Sequence, residues 1–77
     1  MTRVKVCGLT RVEDVRTVVD AGADAVGAIV DVPVDSPRAV SAAQARSLFE
    51  STPPFVTTVL VTMPETVAEA RELVEAV

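Results

Sequence analysis

The chain has no histidine, tryptophan or tyrosine, and among its 77 residues only one cysteine, one lysine and three glycines. Each shortage closes a class of function. Without histidine or clustered cysteines, zinc sites and Ser-His-Asp chemistry lack their parts. Gly8, Gly22 and Gly27 form neither a G-x-G-x-x-G fingerprint nor a Walker loop, so nucleotide binding lacks its phosphate cradle. No metal and no cofactor is expected. A single cysteine cannot form an internal disulfide, which leaves the redox compartment unconstrained. Seven basic residues face eleven acidic ones, and the net charge of −4 argues against nucleic acid as a partner. The acidic, lysine-poor composition suits solubility in concentrated salt. No run approaches the roughly 18 apolar residues of a membrane span, and no signal peptide is visible. The expected location is the cytoplasm.

What is present is aliphatic. Hydrophobic residues make up 49% of the chain with only Phe49 and Phe55 aromatic, so a core must be aliphatic, mostly Val and Ala, and the composition argues against disorder. Three Val-rich runs read as strands covered on both faces: Arg3 to Cys7, Asp24 to Val30 and Phe55 to Val61. A capping-box pattern follows each: "TRVE" (Thr10 to Glu13), "SAAQ" (Ser41 to Gln44) and "TMPE" (Thr62 to Glu65), the last helped by Pro64 in a first turn. Apolar stripes then run through Val12, Val15, Val19 and Gly22, through Ala45, Leu48 and Phe49, and through Val67, Ala70, Val74 and Val77. Gly22 suits a left-handed helix end, and "STPPF" cannot continue a helix.

The order is β-α-β-α-β-α with parallel strands, which begins either a doubly wound sheet or a (β/α) barrel. In a barrel, three such units leave the inner sheet face and both sheet edges bare. A chain of this kind aggregates, self-associates or belongs to something larger, and the last is the expectation. Residues 1–77 are read as a single partial domain.

Ligand sites in both architectures lie beyond the carboxyl ends of the strands, which here means Cys7 to Leu9, Asp31 to Val40 and Thr62 to Met63. Cys7 and Lys5 stand two apart on one strand and therefore share a face. An ammonium beside a thiol and the positive end of the following helix both favour the thiolate, the basic and nucleophilic form. The plainer reading makes Cys7 a small buried apolar residue and Lys5 an interior charge neutralised elsewhere. Gly8 leaves room for a ligand against the backbone. The second loop, "DVPVDSPRAVS", exceeds the usual length of about 2–6 residues and carries Arg38 between Pro37 and the capping Ser41. Its guanidinium could grip a carboxylate or phosphate in bidentate fashion, or simply pair with Asp31 or Asp35 at the surface.

Taken together, "VKVCGLTRVED", "AGADAVGAIV", "SPRAVS" and "PPFVTTVLV" resemble, in order and spacing, the N-terminal part of the phosphoribosylanthranilate isomerases. The resemblance implies a (β/α)₈ TIM barrel of which this chain holds the first three βα units, roughly a third of the about 200–250 residues a barrel needs. It implies an aldose–ketose isomerase of tryptophan biosynthesis that performs an Amadori rearrangement on a small phosphorylated substrate. It further implies that Cys7 is the general base and that Arg38 binds the substrate through the anthranilate carboxylate; thiolate support from Lys5 follows only from the charge argument above and not from the resemblance. The family's general acid, an aspartate on a later strand, and its phosphate-binding loops match nothing up to Val77, so the segment alone is expected to be inactive or nearly so. The alternative is a non-catalytic βα module that self-associates or docks on a partner through its open sheet. A flavodoxin-like half-domain is disfavoured by the missing glycine-rich first loop.

Overall fold

The computed structural model describes residues 2–33 and 35–77; Val34, inside the long second loop, and Met1 lie outside them. The chain runs β1 (Lys5–Val6), α1 (Val12–Asp20), β2 (Ala25–Val30), β3 (Ala39–Val40), α2 (Ala42–Glu50), β4 (Thr57–Val61) and α3 (Val67–Ala76). All pairings are parallel. β2 lies at the centre, with β1 (Lys5 opposite Ala25) and β3 (Ile29 opposite Ala39) following each other along one edge, and β4 (Ala25 opposite Thr57) along the other.

One face of this sheet is dry. Val26, Ala28 and Val30 are buried there against Val15 of α1 and Ala45 and Leu48 of α2, and Leu9 closes the same cluster. Leu73 and Val77 pack onto it from the last helix. Alternation along the strands sends Ala25, Gly27, Ile29, Thr57, Val59 and Val61 to the opposite face, where none belongs to the buried cluster. All three helices therefore cover one side of the sheet, as in a barrel and not a doubly wound sheet, and the sheet is open.

The helix starts only partly follow the sequence pattern. At α2 the capping box forms in full: Ser41 Oγ accepts from the Gln44 amide at 3.1 Å, and Gln44 Oε1 accepts from the Ser41 amide at 2.9 Å. At α1 the expected box from Thr10 to Glu13 does not form. Leu9 is buried, its amide reaches the Gly27 carbonyl at 3.2 Å, and the backbone is still extended at Arg11, which becomes the N-cap residue. Arg11 instead turns its guanidinium onto Asp14 at 3.3 Å, and that hydrogen bond and charge raise the pKa of the arginine. The third start is displaced as well. Thr62 directs its hydroxyl to the Asp31 carbonyl at 3.5 Å, Met63 is biased away from helix by the following Pro64, and the cap is Thr66, whose Oγ1 accepts from the Glu69 amide at 3.1 Å. The later "TVAE" and not "TMPE" is the working signal.

The third apolar stripe is also corrected. Ala70 is half-buried and Leu73 and Val77 touch the core, whereas Val67 and Val74 are 76% and 68% exposed. This helix packs against α2, and its inward stripe runs through Ala70, Leu73 and Val77. The helix ends match expectation better. Gly22 has φ +100°, its amide bonds to the Val19 carbonyl at 3.0 Å, and the Ala23 amide bonds to Val18 at 3.0 Å, a complete Schellman motif. Asp24 then ties the sheet together, accepting from the Val4 amide through Oδ2 at 2.8 Å.

Candidate active site at the carboxyl end of the sheet

The site begins with an irregularity after β1. Continuing the Lys5–Ala25 register would bring the Gly8 amide to the Gly27 carbonyl, but the Leu9 amide arrives there instead. One residue is therefore extra at Gly8, whose φ of +74° only glycine adopts without strain. The bulge leaves Cys7 directly after the strand and turns the chain toward α1. Cys7 is half-buried and free, and lies against Gly27: a Cβ on that glycine would stand 3.1 Å from the Cys7 Sγ.

Arg38 reaches the same place from the second loop. "SPRA" is a tight turn, with the Ala39 amide bonded to the Ser36 carbonyl at 3.2 Å and Pro37 at the position that favours its fixed φ. The Arg38 amide also meets Ser36 Oγ at 3.3 Å. Ala39 and Val40 then join β2 as the short strand β3, which no sequence pattern announces. Held on both sides, Arg38 lays its stem over Gly8: a Cβ there would fall 2.8 Å from Arg38 Cδ and 3.5 Å from Nη1. The room beside Gly8 is thus filled by Arg38 itself rather than left for a ligand. The two ion pairs among the described residues, Arg11–Asp14 and Arg46–Glu50, leave Arg38 out. The surface pairing with Asp31 or Asp35 does not occur, and its exposed guanidinium stands free to meet an anion.

Lys5 sits lower on the strand. It is exposed and lines an open hollow of about 490 Å³ with Arg3, Asp24, Phe55 and Thr57, at the amino ends of the strands. That is the wrong end of the sheet for chemistry in this architecture. A smaller cleft of about 280 Å³ at the carboxyl ends is lined by Asp31, Glu65 and Glu69 among others, a wall that repels anions. Among the described residues no group of three or more His, Cys, Asp or Glu is gathered to hold a metal ion. The structure therefore brings Cys7 and Arg38 together and keeps Lys5 toward the opposite end. Sequence reasoning missed Gly27 as the surface on which Cys7 rests; the glycine inside "AVGAIV", where strand propensity disfavours it, was the available signal.

No protein-family model matches the chain. It is 60% identical over all 77 residues to the N-(5'-phosphoribosyl)anthranilate isomerase of Haloferax volcanii, covering 35% of that protein. Among solved structures, the phosphoribosyl anthranilate isomerase of Thermotoga maritima superposes with a TM-score of 0.86 at 39% identity, over 99% of this chain and 36% of that one. A phosphoribosyl anthranilate isomerase in complex with reduced 1-(o-carboxyphenylamino)-1-deoxyribulose 5-phosphate gives 0.86 at 39% identity, over 99% of this chain and 38% of the other. The chain thus spans about a third of the length of the curated relatives it matches. From end to end it is similar, in sequence and in fold, to the N-terminal part of the phosphoribosylanthranilate isomerases.

Proposed function

We propose that this segment supplies the general base and one substrate-gripping cation to an aldose–ketose isomerisation of phosphoribosylanthranilate. One observation carries the reading: Cys7 and Arg38, far apart in sequence, meet at the carboxyl end of the sheet, where the Arg38 stem lies across the glycine that follows the cysteine. The structural neighbour in complex with a carboxyphenylamino-deoxyribulose phosphate supports a ligand with both a carboxylate and a phosphate. In this reading Arg38 holds the aryl carboxylate through paired N–H donors. The Cys7 thiolate takes the proton from the sugar carbon next to the imine; the electron pair left behind forms a C=C bond to the imine carbon while the C=N π pair moves onto nitrogen, which gives the enolamine. Its return to the ketone yields the amino-ketose. The acid that opens the ribose ring and the grip on the phosphate come from the rest of the barrel. Among the described residues no helix is long and apolar enough to cross a membrane, and a step on a small polar metabolite suits a cytoplasmic enzyme.

The test joins this segment to the remaining two thirds of the Haloferax volcanii relative and measures turnover. Replacing Cys7→Ala removes the base, and kcat falls by about 10²–10⁴-fold, with little change in thermal midpoint. Arg38→Lys, which keeps the charge but loses the planar fork, raises KM far more than it lowers kcat. An alanine variant at Cys7 with wild-type turnover removes the cysteine from the chemistry.

A further inference from the structure

We infer that Gly27 is a positioning residue whose missing side chain fixes where the Cys7 sulfur stands on the open face of the sheet. The inference rests on the isomerase reading for its catalytic consequence, but not for its geometry.

Glycine inside a strand is unfavourable, since it loses more backbone freedom on folding and contributes no packing. Gly27 occupies the middle of β2, the most completely paired strand of the sheet, and its own backbone does not need a glycine: positive φ occurs at Gly8, Gly22 and Asp31, not here. It is also buried, so nothing at the surface explains the choice. What explains it is the neighbour. A Cβ at this position would lie 3.1 Å from Cys7 Sγ, 3.3 Å from the backbone Cα of the same residue and 3.5 Å from its Cβ. Its three nearest neighbours would all be atoms of the cysteine. Rotating the thiol would not relieve the crowding, because part of it falls on the backbone of Cys7. That backbone is held close by the Leu9 amide on the Gly27 carbonyl. Even one methyl group would push Cys7 outward by a few tenths of an ångström and stand against its sulfur. A proton-abstracting group works only within hydrogen-bond reach of its target.

The experiment compares Gly27→Ala with Gly22→Ala in the complete barrel. The second substitution strains a helix end where an added Cβ meets no other part of the chain within 4 Å, away from the thiol, and serves as a control for a loss of stability that leaves Cys7 untouched. Two readouts are taken: kcat and KM across pH, and the rate at which iodoacetamide alkylates Cys7. For Gly27→Ala, kcat falls about tenfold or more while KM holds. The alkylation rate drops severalfold, and Gly22→Ala changes neither readout. Wild-type alkylation in Gly27→Ala overturns the positioning role. Slowed alkylation with unchanged kcat upholds the placement and overturns Cys7 as the base, so the two ideas fail separately.

Discussion

Gly8 and Gly22 both lie in the left-handed region, at φ +74° and +100°, yet they do different work. Adding a Cβ to either one strains the backbone by about 1–2 kcal/mol. At Gly22 that is the whole effect, because the space is empty. At Gly8 the new methyl also meets the Arg38 stem at 2.8 Å, and a flexible arginine yields by swinging away. Gly8→Ala and Gly22→Ala should therefore lower the unfolding free energy by similar amounts in chemical denaturation, while only Gly8→Ala raises KM in the complete barrel. Equal KM values would mean that Gly8 serves the turn alone. At this scale the sequence was most readable where chemistry was rare: a solitary cysteine before a glycine stood out, as did an arginine fenced by Pro37 and Ser41. Gly27 was harder to see, because its significance lies in a meeting across strands that no local pattern encodes.

Among the helices, local signals were legible when nothing longer-ranged competed with them. Ser41 caps α2 as its pattern implies, since "SAAQ" follows a short strand that ends cleanly at Val40. Thr10 and Thr62 match the same pattern and do not cap. The first is displaced by the anchoring of Leu9, and the second is drawn to the Asp31 carbonyl. Thr66→Ala should therefore destabilise α3 by about 1 kcal/mol, and Thr62→Ala should have a clearly smaller effect on helix content and thermal midpoint by circular dichroism. The reverse order would restore "TMPE" as the start. Strand existence and order were readable from Val-rich runs, but β3 was not. Two residues carry no periodicity, and Ala39–Val40 becomes a strand only because Ile29 and Val30 offer it an unpaired edge.

For the molecule as a whole, the asymmetry of the sheet decides its behaviour. One face buries Val26, Ala28 and Val30, and the other shows Ile29, Val59 and Val61 half-covered. An apolar face of this kind seeks cover. In isolation the 77-residue chain should associate, its sedimentation mass rising with concentration, and Val59→Lys should suppress this. In the complete barrel the same substitution buries an unpaired ammonium and should lower the thermal midpoint sharply. A charge tolerated in both settings would mean that this face does not become an interior. The strand β3 has a different consequence for the protein's history. Because Ala39 and Val40 fasten Arg38 to β2 from behind, the chain between the end of β2 and Ser36 joins two fixed posts. Lengthening it adds only a slowly growing closure entropy, about 0.6 kcal/mol per doubling. Insertions and deletions there leave the guanidinium where it is, so this loop is free to drift in length across a lineage while the residue that it delivers stays in place.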